Sequence, residues 1–490
     1  MRFGICFLAL LLLVPSLNTP LAAQTPGEHS ITFETRDGQS VAAHRGTLAV
    51  PEYRGDPTSR MIELSYVRFA STSDEPGPPI VYLAGGPGGS GSVTARGERF
   101  ALFMAMRAHG DVIAFDQRGT GASTQLPRCV SSIKPSRTEI MSDSEYTSLY
   151  RSAAIECGRF WQDQGIDIRG YTTRESVQDL SALRVHLGAD KISLWGISYG
   201  SHLALAAIAA IPAELDRVIL ASVEGLDQTV KLPARTDAYF TRLQEAVDAQ
   251  PAAHALYPDI VGMMRRVHAR LEAEPLYLTI RPRNGKHYAF LLQRRHLQEL
   301  ASGLIADPEN AALMLALYRS LDNGDTRFAA NLIGAFDSGS EAITFNAMST
   351  AMDVASGISH DRALLFECQG ANALLGSYLN FPMPQLAGVW PDLDLGNDFR
   401  AGPVSDIPVL VLSGTLDGRT YPDGQREAVA GLSNVSTITI VGAGHNLFMA
   451  TPSIGEAMDM FMRGKTDEDR KIVVEVPDLS LVPDWARQWL

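Results

Sequence analysis

The chain has 490 residues, of which 45% are hydrophobic and 20% charged, with a formal net charge of −13. This composition is typical of a folded protein with a large core and excludes an intrinsically disordered chain. The negative charge disfavours nucleic acid or an anionic membrane as a partner, and the length predicts more than one typical domain.

The N-terminus predicts a secretory signal peptide over residues 1–23. Arg2 precedes an apolar run from Ile5 to Val14, small residues follow, and cleavage is expected after Ala23. A membrane anchor is the alternative, but the run is shorter than the ~20 apolar residues that a spanning helix needs. No later stretch is apolar enough to predict a membrane span in the mature chain. We therefore expect export, to the periplasm or as a secreted protein.

Removal of the signal peptide leaves three cysteines, Cys129, Cys157 and Cys368. In an oxidising compartment at least one of the three must stay unpaired. Cys129 and Cys157 are closest in sequence, so we expect a disulfide between them and a free Cys368. Three buried free thiols are the alternative. No C-x-x-C spacing occurs, which argues against a cysteine metal site, and no cofactor is implied.

The first part of the mature chain, residues 24–225, begins with strands and then alternates strands with helices. The runs "VAAHRGTLAVPEY" and "MIELSYVRFAST" have the alternation of antiparallel strands. Apolar strands follow in "PPIVYL", "DVIAF", "KISLWG" and "RVILASV", and helical spacing is found over residues 174–187 and 201–211. This order predicts an α/β fold, with a mostly parallel sheet and helices on both of its faces.

The strand rhythm stops at about residue 226 and returns after residue 402. Between them the patterns are mostly helical, as in "IVGMMRRVHARLEAE" and "NAALMLALYRSL". The runs "IPVLVLSG" and "VSTITIV" then restore the strand pattern. We expect residues 24–225 and 403–490 to form one α/β core, with residues 226–402 as a helical cap over the strand ends.

The junction Gly196-Ile197-Ser198-Tyr199-Gly200 turns abruptly from a strand to a helix. Two explanations fit it. Small residues allow close packing of a strand and a helix, whereas a G-x-S-x-G turn can hold a strained serine with its hydroxyl exposed. The second explanation predicts an acid and a histidine further along the chain.

Both are present at later strand ends. Asp417 lies in the turn after "VLVLSG", and His445 follows "VSTITIVGAG". The order serine, acid, histidine is that of α/β hydrolases, and the carboxyl ends of parallel strands share one edge of the sheet. We therefore predict a catalytic triad of Ser198, Asp417 and His445, with Asp406 and Asp423 as the nearby alternatives for the acid.

A serine hydrolase also needs donors for the tetrahedral oxyanion. The backbone N–H of Tyr199 is the expected first donor. The second normally comes from the loop after an earlier strand, and "AGGPGG" at residues 84–89 occupies that position. We assign it to Gly86, with Gly85 as the alternative. The glycine cluster could instead serve only as a turn.

Together, "GGPGGSG", "DQRGTGAS", "GISYGS" and the Asp417/His445 pair resemble the α/β-hydrolase serine peptidases that include proline iminopeptidases and tripeptidyl aminopeptidases. The resemblance covers about residues 45–450 and is weakest in the cap. It implies a serine exopeptidase whose cap admits free peptide N-termini. Ala84 stands where proline iminopeptidases usually have histidine, which favours the tripeptidyl branch.

An aminopeptidase needs a carboxylate for the substrate ammonium, because a buried unpaired charge is costly. Glu224 ends the strand that leads into the cap and is the candidate, although it could instead brace the hinge of the cap. A carboxylesterase or lipase on the same triad is the alternative enzyme, since ester and amide hydrolysis share these residues. A non-catalytic binding protein of the same fold is a third possibility.

Overall fold

The computed structural model describes residues 27–489 except 283–284, 337–339 and 466–469. The predicted signal peptide lies outside the described residues. Among the described residues, no helix combines the length and the apolar character required to cross a membrane.

The strands are β1 His29–Glu34, β2 Ser40–Pro51, β3 Met61–Phe69, β4 Gly77–Leu83, β5 Gly110–Asp116, β6 Cys129–Val130, β7 Ile192–Ser198, β8 Leu215–Val223, β9 Leu276–Ile280, β10 Tyr288–Leu292, β11 Thr344–Phe345, β12 Val409–Gly414, β13 Val435–Val441 and β14 Lys471–Val473. The helices are α1 Gly91–Ala95, α2 Phe100–Met106, α3 Asp143–Asp163, α4 Thr173–His186, α5 Tyr199–Ala210, α6 Pro233–Asp248, α7 Pro251–Leu256, α8 Ile260–Ala273, α9 Arg294–Leu304, α10 Pro308–Asp322, α11 Arg327–Phe336, α12 Ala347–Ser356, α13 His360–Gly370, α14 Gly396–Arg400, α15 Pro422–Ala428 and α16 Pro452–Met462.

The central sheet has the order β1-β2-β3-β5-β4-β7-β8-β12-β13-β14. The pairs β1/β2, β2/β3 and β3/β5 are antiparallel, and the pairs from β5/β4 onward are parallel. The predicted antiparallel start and parallel continuation are both confirmed. Because β4, β7, β8, β12 and β13 are parallel, their carboxyl ends meet at one edge, where the candidate residues follow them.

Helices cover both faces of this sheet, as the sequence predicts. On one face, buried side chains of α3, α4 and α5 pack on the strands together with those of α12. On the other face, α1, α2 and α16 form a second apolar layer, which includes Phe100 and Phe448. The edge that carries the candidate site therefore lies between two different helical layers.

The segment between β8 and β12 is mostly helical and also contains a β9–β10 hairpin, which the helical patterns did not predict. Most of its helices share an apolar core of their own, which is distinct from the two layers on the sheet. Leu479, Val482 and Ala486 of the C-terminal tail pack into this cap core. The tail, whose role the sequence did not indicate, thus packs against the cap.

Cys129 and Cys157 form a disulfide with a Cα–Cα distance of 5.6 Å, and Cys368 is free and exposed. The expected pairing is confirmed. The bridge joins α3 to β6, and β6 pairs with β11 just before α12. It therefore fixes the chain next to a helix that contacts the candidate site.

Candidate active site

Ser198 occupies a sharp turn at the end of β7. Its backbone has φ 55° and ψ −127°, a region that residues with a side chain rarely adopt. The flanking glycines allow it: a Cβ on Gly196 would lie 2.5 Å from the carbonyl oxygen of Gly200, and one on Gly200 would collide with the carbonyl of Leu83. The junction is thus both closely packed and strained, and it leaves Ser198 partly exposed at the sheet edge.

Asp417 and His445 are joined by hydrogen bonds. The Nδ1 atom of His445 lies 3.1 Å and 3.0 Å from the two carboxylate oxygens of Asp417. Asp417 is fully buried and also accepts hydrogen bonds from the Thr420 hydroxyl at 2.7 Å and the Thr420 N–H at 2.8 Å. Burial alone would raise the pKa of Asp417, but the neighbouring His445 and these hydrogen bonds hold it below its usual value. A histidine oriented in this way leaves its Nε2 atom free to accept a proton.

The glycine turn after β4 lies directly against the serine. A Cβ on Gly85 would be 3.1 Å from the Cβ of Ser198. Gly86 has φ 123°, which requires glycine, and the N–H of Gly89 donates to the Gly85 carbonyl at 3.0 Å. The turn therefore lies next to the serine, and the oxyanion donor predicted at Gly86, or alternatively Gly85, stays a prediction.

Asp116 holds the end of this glycine turn. Its carboxylate accepts from the hydroxyls of Ser90 and Ser92 at 2.6 and 2.7 Å and from the N–H of Ala122 at 2.9 Å. Its neighbour in the same motif, Arg118, is buried and pairs with Asp179 at 2.7 Å. The "DQRGTG" motif therefore has a structural role here.

A turn of the cap, residues 305–308, contacts the histidine loop. The N–H of His445 donates to the Ala306 carbonyl, and the N–H of Asn446 donates to the Asp307 carboxylate, both at 2.9 Å. A Cβ on Gly444 would lie 2.5 Å from the Asp307 carboxylate and 2.7 Å from the Asp307 Cα, so the close approach of the two loops requires glycine here. We call residues 305–308 the clamp turn. Nothing in the sequence indicated this contact.

Glu224, the predicted amine anchor, is buried and already forms an ion pair with Lys231 at 2.7 Å. Its N–H donates to the hydroxyl of Ser201 at 2.9 Å, and that hydroxyl donates to the Ser198 carbonyl at 2.5 Å. Glu224 therefore lies close to the strained turn, on the α5 side of the sheet. Its charge is thus compensated within the protein by Lys231.

A second acid, Asp353, lies near Glu224. It is on α12, four residues after Ser349, so the two residues share one face of the helix. The Cβ of Ser349 lies 3.7 Å from the position that a Cβ on Gly88 would take, which brings this face of α12 next to the glycine turn. Burial, followed by repulsion from Glu224, raises the pKa of Asp353 to about 8, despite the attraction of Lys231 and Arg419. Among the described residues, no hydrogen-bond donor contacts its carboxylate. We call Glu224 and Asp353 the acidic pair.

Residues 78–452 match the family described as the alpha/beta hydrolase fold. The chain is 31% identical over 182 residues to serine protease Hip1 of Mycobacterium tuberculosis. This match covers 36% of this chain and 35% of that protein. It is also 28% identical over 234 residues to the tripeptidyl aminopeptidase of Streptomyces lividans. This match covers 43% of this chain and 42% of that protein.

A probable proline iminopeptidase of Streptomyces coelicolor is 28% identical over 159 residues, with 32% of this chain and 37% of that protein covered. The matches thus span less than half the length of each of these relatives. Two of the three names are those that the motifs indicated, and the resemblance drawn from the sequence is confirmed. With more than half of its length matched, the chain belongs to the α/β hydrolase fold family.

Proposed function

We propose that this protein is a serine aminopeptidase, with Ser198 as the nucleophile. The observation that carries the proposal is the His445–Asp417 hydrogen bond at the same sheet edge as the strained Ser198 turn. The similarity to a serine protease and a tripeptidyl aminopeptidase supports peptide bonds as the target.

In the proposed reaction His445 accepts the Ser198 proton through Nε2 while Oγ attacks the scissile carbonyl. The N–H of Tyr199 and a glycine N–H of the turn after β4 stabilise the oxyanion. His445 then returns the proton to the leaving amine, and the acyl group remains on Ser198. Water, deprotonated by the same histidine, hydrolyses the acyl-enzyme and releases the N-terminal fragment.

The acidic pair supports recognition of a free N-terminus. Glu224 is paired with Lys231, so Asp353 is the carboxylate left to pair with a substrate ammonium. A bound ammonium would favour the ionised form of Asp353, against the burial and the repulsion from Glu224 that raise its pKa. We therefore extend the predicted anchor from Glu224 alone to the acidic pair, with Asp353 making the direct contact.

A substrate panel tests the peptidase proposal. Tripeptidyl and single-residue p-nitroanilides should be hydrolysed, and their N-acetylated forms should react much more slowly because they carry no ammonium. Rapid hydrolysis of p-nitrophenyl esters with no turnover of any anilide would instead indicate a carboxylesterase. Failure of a fluorophosphonate to label Ser198 would indicate a non-catalytic binding protein.

Two variants test the amine anchor. Asp353→Asn should lower kcat/KM for free-amine anilides by roughly 2–4 kcal/mol, a factor of about 30 to 1,000. Hydrolysis of a small neutral ester should change little, because it presents no ammonium. Asp361→Asn, which removes an exposed acid on α13, is the matched control and should behave as wild type. Equal losses on both substrates would show that Asp353 is structural.

We also propose that the protein acts outside the cytoplasm. The Cys129–Cys157 disulfide supports this, because such bonds persist mainly in oxidising compartments. Fractionation of the source cells should find the protein in the periplasm or the medium, shortened by about the length of the predicted signal peptide. Full-length protein with reduced cysteines in the cytoplasm would contradict the proposal.

A further inference from the structure

A groove of about 690 Å³ adjoins the candidate site. One end is formed by Gly89, at the end of the glycine turn, and by Asn446, the residue after His445. The groove then continues along the start of α2. Its volume is in the range of sites that bind small molecules or a few residues of a peptide.

The position of this groove matches the path of a leaving group. In serine acyl transfer the histidine must reach the departing amine to protonate it. The part of a peptide beyond the scissile bond therefore leaves on the side of His445, and Asn446 lines the groove there. The groove is thus placed to hold the C-terminal part of a substrate.

Arg99 lies where the groove meets the histidine loop. Its guanidinium donates to two neutral oxygens, the phenol of Tyr82 and the amide of Asn446, and stacks 5.3 Å from the Phe448 ring centroid. Within the described part of the chain no carboxylate forms an ion pair with it. Arg99 is half-buried, so its orientation is fixed while its charge remains available.

The other charged groups of the groove leave a small positive excess. Arg36 and Arg96 also line it, against Asp37 and Glu98. Hydrogen bonds from Thr35 and Gln39 lower the pKa of Asp37, so this acid is charged at neutral pH. Three arginines against two acids favour an anionic ligand group, and guanidinium is suited to carboxylate.

The two charged sites lie on opposite sides of Ser198. The acidic pair is on the side of α5 and α12, which pack on one face of the sheet, whereas Phe100 and Phe448 beside Arg99 pack on the other. We propose that the groove binds the leaving part of the peptide and that Arg99 binds a carboxylate of this leaving part. This inference rests on the proposed function. The carboxylate is either the peptide's C-terminus or an acidic side chain.

The test compares three peptides on the mature protein: penta-alanine with a free C-terminus, its C-terminal amide, and an amide whose last residue is aspartate. Wild type should cleave the free acid about threefold to tenfold faster than the plain amide in kcat/KM, and added salt should reduce this ratio. If the amide that ends in aspartate is cleaved as fast as the free acid, Arg99 also binds a side-chain carboxylate. If it is cleaved as slowly as the plain amide, Arg99 binds only the C-terminal carboxylate.

Arg99→Gln should bring the ratio of free acid to amide close to one. A disturbance passed to His445 through Asn446 would slow both peptides equally and leave the ratio unchanged, so the ratio separates binding from positioning. Arg327→Gln, an exposed cap arginine outside the groove, is the control for charge and should keep the wild-type ratio. Two results would overturn this inference and leave the proposed function standing. One is normal turnover of tripeptidyl anilide with no preference for the free acid over the amide, and the other is a preference that persists in Arg99→Gln. No turnover of any peptide or anilide overturns the function itself.

Discussion

The carbonyl oxygen of Ala306, in the cap, accepts the backbone N–H of His445 at 2.9 Å. The adjacent Asp307 carboxylate accepts the N–H of Asn446 at the same distance. Two consecutive peptide groups of the histidine loop are thus bonded to the clamp turn, which is separated from β13 by more than a hundred residues of sequence. The position of the proposed general base therefore depends on the position of the cap.

Asp307→Ala should lower kcat about tenfold, with a smaller change in KM, because it removes the acceptor of the Asn446 N–H next to the proposed base. Asp307→Asn retains an oxygen acceptor and should recover most of the loss. Steady-state kinetics on a tripeptidyl anilide measure both variants. Equal losses in the two would mean that the charge of Asp307 matters rather than its hydrogen bond, and wild-type kinetics in both would show that the clamp turn does not position His445.

Ser198→Ala should fold normally and lose a factor of ~10⁴–10⁶ in kcat, because it removes the nucleophile. His445→Ala should lose a similar factor, and the double variant should be little worse than either single one, since the two groups act in the same step. The measurement is kcat on a tripeptidyl anilide, with circular dichroism to confirm folding. Near-wild-type turnover in pure Ser198→Ala protein would refute the mechanism.

The sequence predicted Ser198, Asp417 and His445 because each follows a strand with a clear apolar pattern. Parallel strands bring their carboxyl ends to one edge, so local patterns were enough to predict that the three residues lie at the same edge. The His445–Asp417 hydrogen bond is found there, and the complete triad stays a prediction. The packing and strain explanations of the serine turn, which the sequence could not separate, both hold in the structure. The bridge between Cys129 and Cys157 was predictable from their closeness in the chain.

Asp353 and Asp307 were not predictable in this way. Both lie in the cap, Asp353 on α12 and Asp307 in the clamp turn, where the sequence carries no motif. Each reaches the site only through the tertiary placement of its helix or turn. The partner of Glu224 was also missed, because no sequence pattern marks Lys231 and the two residues pair only through the folding of the chain after β8. Contacts made by an insertion depend on how it docks, which hydrophobic periodicity does not specify.

Replacing both bridged cysteines, Cys129→Ser with Cys157→Ser, should lower the free energy of unfolding by roughly 3–4 kcal/mol through the added entropy of the unfolded chain. Denaturant unfolding monitored by fluorescence measures the loss, and Cys368→Ser is the control, expected to have little effect because that thiol is exposed. Thiol titration of the denatured, unreduced mature protein should find one reactive thiol per chain. Three thiols would show that the bridge is absent in the isolated protein.

The raised pKa of Asp353 predicts a pH dependence of stability. An aspartate in the unfolded chain titrates near pH 4, whereas Asp353 in the folded protein titrates at about 8. Between these values the folded state holds a proton that the unfolded state has lost, so the free energy of unfolding falls as pH rises. The slope from this one group is at most about 1.4 kcal/mol per pH unit, and solvent reaching a half-buried carboxylate makes it smaller.

Asp353→Asn removes this titration, so the variant should lose less stability than wild type between pH 5 and pH 8. Since Glu299 also has its pKa raised to about 8 by burial, wild type has more than one such group, and the difference in slope between the two proteins is the relevant quantity. Denaturant unfolding at four pH values measures it, with Asp361→Asn as the control for loss of one exposed charge. Parallel curves for wild type and Asp353→Asn would show that Asp353 titrates normally, and the argument that it lacks a partner until a substrate ammonium binds would then fail.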